Sequence, residues 1–291
     1  MTQTMVETES GRLDRQDHIP VLHRLVSGFI GLNAAGVAYF GLLKPRTLDR
    51  GFTWADLPPL HARFVGALYL FGAVLLLGSL VCRRWASVAP LMTGSAIFTT
   101  SMFVLTFVNF KAFDFNEFAP RAWIIAYTVF PLMTWPLALA QRQRKVHEPA
   151  GLPSSRWLSI ALRVLAAVFA VIGVVLFLAR SIGADAWPWK VSSGVAQFYG
   201  GPFLTLACCA WWYSRCTNRR SLTLYATAMA ALGVSVVAVS IKHRSLFDVG
   251  DPAAWLWFAL FGAIALSSVV SLVALVPATR PWAHRRAAPV A

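Results

Sequence analysis

The chain has 291 residues, of which 57% are hydrophobic and only 13% charged, and its mean hydropathy is +0.61. Soluble domains are about half apolar and a quarter charged, so this composition excludes an ordinary soluble enzyme and points to a chain that lives mostly inside a bilayer. A net charge of +14 would suit nucleic acid, but the basic residues stand singly or in short groups between apolar runs, which excludes a concentrated nucleic-acid-binding face.

The first 20 residues, "MTQTMVETESGRLDRQDHIP", carry four acids and no apolar run. A secretory signal would be basic and then apolar, so this stretch reads as a polar cytoplasmic arm. Eight apolar runs follow, near 21–43, 59–81, 86–108, 121–140, 157–179, 195–214, 221–241 and 253–276. Each is long enough to cross about 30 Å of hydrocarbon at about 1.5 Å per helical residue. The expected organisation is the arm at 1–20, a four-helix transmembrane unit at 21–141, a cytoplasmic linker at 142–156, a second four-helix unit at 157–277 and a basic tail at 278–291.

Fourteen Lys and Arg fall on the side of the arm, the even-numbered inter-span loops and the tail, against nine on the other side. The positive-inside rule then predicts a multi-pass protein of a bacterial-type inner membrane with both termini in the cytoplasm. Anionic lipid headgroups are the expected partners of those cytoplasmic positives. Of the four cysteines, Cys82 and Cys216 stand at cytoplasmic span ends and Cys208 and Cys209 within the sixth span. None lies in an outer loop, so no structural disulfide is expected.

The two halves repeat one another. "HARFVGA" at 61–67 corresponds to "VAQFYGG" at 195–201, and "FTW" at 52–54 to "WPW" at 187–189. Arg24 falls over Arg163, and "FDFNEFAPRAW" over "FDVGDPAAW", which sets Asp114 on Asp248 and Trp123 on Trp255. Matches in the same order predict a tandem duplication. Four spans per copy bring both copies in from the same side, so the fold expected is all-α, with eight transmembrane helices as two parallel four-helix repeats about a pseudo-twofold along the membrane normal, unlike inverted repeats. Trp54, Trp187 and Trp189 read as outer interface anchors, and Pro58 and Pro59 suit a helix's first turn.

None of the eight runs contains Asp or Glu, which proton relays and carboxylate-bridged metals need. The histidines near spans, His23, His61 and His243, sit at span ends, where facing haem ligands are not expected. No catalytic residue, metal ligand or cofactor is therefore predicted, and the balance leans away from an enzyme. Arg24 and Arg163 form a candidate pair for an anionic headgroup or ligand, set against simple snorkelling to lipid phosphate. On the outer side His61, His243, Asp114 and Asp248 form a candidate polar site, set against loop carboxylates that cap helices. Asn33, Asn109 and Gln197 read as interhelical hydrogen-bonding groups.

The stretches "FTWADLPPLHARFVGALYLFG" and "FVNFKAFDFNEFAPRAWIIAY", with "QRQR" after the fourth span, resemble a group of multi-pass bacterial membrane proteins with a duplicated four-helix unit. That resemblance implies a fold and a membrane location and carries no activity. Three functions are expected in order. First comes a non-catalytic structural or accessory subunit of a larger membrane complex, partnered by other membrane proteins. Second comes a carrier or channel for a small anionic or lipid-like ligand. Third comes an outer-surface metal-dependent enzyme working through the His and Asp residues.

Overall fold

The structure is a computed structural model that describes residues 18–51, 57–82, 85, 88–143 and 156–275. Most of the expected arm, the linker, the tail and Trp54 lie outside the described residues. The described residues form ten α-helices: α1 (Val21–Leu43), α2 (Pro45–Gly51), α3 (Pro59–Ser79), α4 (Ala89–Val108), α5 (Phe118–Gln143), α6 (Arg156–Leu178), α7 (Arg180–Asp185), α8 (Ser193–Tyr213), α9 (Arg219–Lys242) and α10 (Pro252–Leu275). Single 3₁₀ turns at Phe110–Ala112 and Arg244–Leu246 follow α4 and α9.

Local chemistry sets where these helices begin. Pro59 occupies the first turn of α3, where a missing N–H costs little. Ser192 accepts from the Val195 N–H at the start of α8, and Asn218 accepts from the Arg220 and Ser221 N–H groups at the start of α9. Both are N-caps that satisfy orphan donors of the first turn.

Seven helices, α1, α3, α4, α5, α6, α9 and α10, are long and apolar enough to cross a membrane, the pattern of a multi-pass membrane protein. The eighth expected run, α8, is not among them, because Ser193, Gln197, Pro202 and three glycines dilute its hydropathy. It is instead sheathed by protein, with every residue from Val195 to Phe203 buried. A helix that meets other helices on all sides needs no hydrocarbon facing lipid. Its neighbour α3 is similar, with 72% of its most apolar stretch buried against 17% for α10. These two helices form the centre and the others surround them.

The packing runs in two rows. In one, α1 packs on α3, α3 on α9 and α9 on α10; in the other, α6 packs on α8, α8 on α4 and α4 on α5. Each row takes two long helices from each half of the chain. Glycine permits the closest crossings. A Cβ on Gly41 would stand 2.6 Å from the Ala62 carbonyl oxygen and 2.7 Å from the Gly66 Cα, and one on Gly200 would stand 2.9 Å from the Phe177 nitrogen. In lipid, where burying apolar side chains drives little association, such backbone contact is a main source of helix attraction.

The two rows meet on aromatic rings. Phe64 of α3 touches Tyr199 at 4.9 Å, Trp257 at 5.1 Å and Trp189 at 5.7 Å between centroids, nearly all edge to face. Such pairs contribute about 0.5–1.5 kcal/mol beyond the area they bury. Trp187 and Trp189 belong to this cluster, only 8% and 5% exposed. The expectation of two interface anchors is therefore corrected: α7 turns the chain back so that both indoles are buried before the start of α8 and pack against Phe64.

Candidate functional site

The ends at which α3 and α8 begin and α4 and α9 finish carry the most connected polar groups of the described residues. Arg63 and Gln197 are the third residues of "HARFVGA" and "VAQFYGG". Asn109 and His243 are the residues that end α4 and α9. The Arg63 Nη1 donates to the His243 Nε2 at 2.8 Å, and the Asn109 Nδ2 donates to the Gln197 Oε1 at 3.0 Å. Two like pairs thus stand at like places, each joining one half of the chain to the other. The second pair is anchored further, since Arg180 donates to the Asn109 Oδ1 at 3.1 Å and the Gln197 Nε2 donates to the Phe177 carbonyl at 3.1 Å.

Because the guanidinium can only donate, His243 accepts through Nε2 and carries its proton on Nδ1. Its imidazole pKa is held below the usual value, first by partial burial and then by the Arg63 and Lys242 charges. It is a neutral acceptor at neutral pH.

His61 is buried on the inner side of the same helix end, with its Nδ1 3.0 Å from the Tyr199 hydroxyl. Beneath lie the rings around Phe64. Trp257 donates to the Ser240 Oγ at 3.0 Å, and Trp123 to the Thr106 Oγ1 at 2.9 Å. Both tryptophans are the sixth residue of their helices, whereas Trp255, which the sequence set over Trp123, is 65% exposed.

The two loop carboxylates do not join the histidines. The Asp114 Oδ1 accepts from the backbone N–H and side-chain amide of Asn116 at 3.0 and 2.9 Å, and the Asp248 Oδ1 accepts from the Gly250 N–H at 2.8 Å. These are local turn bonds of the Asx kind. Among the described residues no three His, Cys, Asp or Glu stand close enough to share a metal ion.

At the opposite end, Arg24 spends its fork on α3, donating to the Leu80 carbonyl at 2.7 Å and the Cys82 carbonyl at 2.9 Å. Those carbonyls end a helix and have no intrahelical partner. Arg163 is exposed and does not occupy the matching place. Ser159 does: it is the fourth residue of α6 as Arg24 is of α1, and it donates to the Ser214 carbonyl at the end of α8. The structure therefore does not bring Arg24 and Arg163 into equivalent settings. Arg219 similarly donates to the Leu275 carbonyl at the end of α10.

Sequence reasoning missed the Arg63–His243 and Asn109–Gln197 pairs, the Arg180 anchor and the buried hydroxyl-to-hydroxyl bond between Tyr69 and Tyr127. The signal for the first two was present in "NFKAFD" at 109–114 and "HRSLFD" at 243–248, which align Asn109 with His243.

Two apolar clefts lie between α6 and α10, of about 620 and 270 Å³, and a smaller cavity of about 80 Å³ lies among α1, α3, α4 and α8. No charged side chain lines any of the three. Compared with protein families, with curated proteins and with solved structures, the chain matches none.

Proposed function

We propose that this is a non-catalytic integral membrane protein of eight spans, built as two parallel four-helix repeats, that serves as a structural or accessory subunit of a larger membrane assembly. The repeat is supported by the order of packing: exchanging the halves turns α1–α3–α9–α10 into α6–α8–α4–α5. The matched helix ends at Asn109 and His243, whose φ and ψ are −111° and 26° in one and −112° and 25° in the other, agree with it. Counting α8 as a span follows from its length of 21 residues and its place between α6 and α4.

The observation that carries the functional reading is where the polar groups go. Arg63, His243, Asn109, Gln197, Arg180 and Arg24 are each engaged in tying one helix or helix end to another, a scaffold's use of polar side chains. The outward helices meanwhile present broad apolar faces, as at Leu25, Val171 and Leu266, on which partner helices can pack. The charge asymmetry supports a reading with both termini in the cytoplasm, in a bacterial-type inner membrane.

The test is to extract the tagged full chain from its native membrane in mild detergent and identify by mass spectrometry what stays bound. A membrane protein retained at fixed stoichiometry is the expected result. A chain that leaves the membrane without any protein partner overturns the reading. The second reading, a carrier of a lipid-like ligand, is favoured by the apolar cleft of about 620 Å³. Movement of labelled lipid between leaflets of vesicles that contain the protein, absent from protein-free vesicles, is what it requires.

A further inference from the structure

Three amides of the apolar runs, Asn33, Asn109 and Gln197, suit hydrogen bonds between helices. Two of them bond to each other, and Asn109 also donates back to the Leu105 carbonyl of its own helix. Asn33 does neither. Its side chain is exposed and has no hydrogen-bond partner among the described residues.

Asn33 is the thirteenth of the 23 residues of α1, which at about 1.5 Å per residue sets it at least about 15 Å from each end of the span. Leu25, Phe29, Leu32 and Phe40 around it are exposed as well, so in a bilayer this face looks onto hydrocarbon. No water stands at that depth to take a partner's place, and the side chain is too short to carry its amide to the headgroups. The repeat does not call for an amide here, since the thirteenth residue of α6 is Val168. An open carboxamide at mid-membrane is satisfied only by polar groups of another helix.

The residues beside it form a seam. Phe29, Asn33, Gly36, Phe40 and Leu43 stand four, three, four and three apart, the spacing that keeps one helix against another along its length. The contact of α1 with α3 uses the other face, where Ile30, Ala34, Ala38 and Gly41 are buried. A Cβ on Gly36 would meet nothing of this chain within 4 Å, so one turn from the amide the backbone is open to a close neighbour.

Complementarity selects the neighbour. Copies inserted in one membrane share an orientation, and a twofold along the membrane normal sets α1 beside α1 in parallel, each residue at the depth of its own equivalent. Asn33 then meets Asn33. Each carboxamide has both a donor and an acceptor, so each NH₂ donates to the other's carbonyl oxygen and both are satisfied. A foreign helix would need a polar residue at that one depth, whereas a second copy always carries it.

We infer that α1 is a homodimerisation helix, and that two copies of this chain pair along the 29–43 face with their Asn33 amides bonded reciprocally at mid-membrane. A lone Asn in such a seam also fixes the register of the pair. The inference does not rest on the subunit reading, which concerns proteins other than this one.

For the test, two batches of the full chain, with donor and acceptor fluorophores at the C-terminus, are reconstituted together in vesicles of phosphatidylethanolamine and phosphatidylglycerol, and energy transfer is followed as lipid is added. The wild type should dilute along a monomer–dimer curve. Asn33→Leu, an apolar change at an exposed position that leaves folding intact, should weaken self-association about tenfold. Asn33→Gln keeps donor and acceptor and should restore most of it, and Leu266→Ala, on the exposed face of α10, should change nothing. Oxidative cross-linking locates the contact: Gly36→Cys should trap a dimer above the background of the chain's own four cysteines, and Val171→Cys on α6 should not. Transfer no greater than random crowding gives, an affinity unchanged in Asn33→Leu, or trapping through Val171→Cys in place of Gly36→Cys overturns the inference. So does a different membrane protein that the wild type retains and Asn33→Leu loses, in the absence of self-transfer.

Discussion

Arg63 and His243 face one another across α3 and α9, with the guanidinium Nη1 2.8 Å from the imidazole Nε2. A cation donating to a histidine is stable only while the ring is neutral. This places a proton-sensitive joint between the two halves of the chain, while the matching joint at Asn109 and Gln197 has no titrating member.

The sign of the pH effect follows. The folded pKa of His243 is lowered by burial, Arg63 and Lys242 from an unfolded value of about 6.5. The folded state therefore binds fewer protons than the unfolded one, and stability rises with pH between the two values. Its contribution is complete above about 6.5 and is lost as pH falls through the depressed folded value. Thermal unfolding of the protein in nanodiscs should show a midpoint that drops below that pH, and His243→Asn should flatten that part of the profile. An unchanged slope in the variant would assign the titration elsewhere.

The second joint also predicts a rescue. Arg63→Gln alone leaves a shorter donor opposite His243 and should cost about 1 kcal/mol, the usual worth of such a bond. Arg63→Gln together with His243→Asn reproduces the pair that Gln197 and Asn109 form elsewhere in the same molecule. A double-mutant cycle should give a favourable coupling of about 0.5–1 kcal/mol. Strict additivity would mean that the two places are not equivalent.

Gly66 tolerates nothing larger. A Cβ there would lie 2.7 Å from the Leu42 nitrogen and 3.0 Å from the Gly41 Cα, all backbone, so only a shift of the α1/α3 crossing relieves it. Gly66→Ala should destabilise by about 1–3 kcal/mol and lower the amount of folded protein recovered by size-exclusion chromatography. Gly36→Ala, with nothing within 4 Å of its Cβ, should be neutral or slightly stabilising.

The two arginines that look alike in the sequence should behave differently. Arg24→Ala strips the Leu80 and Cys82 carbonyls of their donor and should cost about 1.5–3 kcal/mol, the range for bonds to a charged group. Arg163→Ala removes an exposed side chain and should change stability by less than about 0.5 kcal/mol. Equal losses in urea or heat denaturation would put Arg163 in a tie as important as that of Arg24.

The ring cluster can be probed at its hub. Phe64→Ala should cost about 3–5 kcal/mol by opening a cavity among Trp187, Tyr199 and Trp257. Phe118→Ala, at an 81% exposed ring, should cost little. Near-ultraviolet circular dichroism of the folded protein should lose intensity only for the first, because only there are tryptophans held in fixed asymmetric contact.

Hydropathy and punctuation made much of the helix plan legible. Length and apolar composition marked eight runs, seven of which are helices long and apolar enough to cross a membrane, Pro59 marked the start of α3, and the recurrence of "HARFVGA" as "VAQFYGG" pointed to a repeat. The face each helix turns inward was not legible, because lipid tails and protein cores are equally apolar and a membrane helix need not segregate polar from apolar residues to find its partners. Trp187 and Trp189 show the consequence: their composition suits a membrane interface, and the turn at α7 buries them against Phe64 instead. Arg24 and Arg163 show it again, since only the crossing of α1 with α3 and of α6 with α8 reveals that Arg24 and Ser159 each tie down a neighbouring helix end while Arg163 is exposed. By itself the sequence determined how many long helices there are and roughly where they begin and end, because hydrogen bonding in hydrocarbon forces each apolar run into a helix. Tertiary structure decided which helices are central, that each row draws on both halves, and that Arg63 meets His243, because those outcomes rest on backbone approach at Gly41, Gly66 and Gly200 and on contacts between residues far apart in the chain.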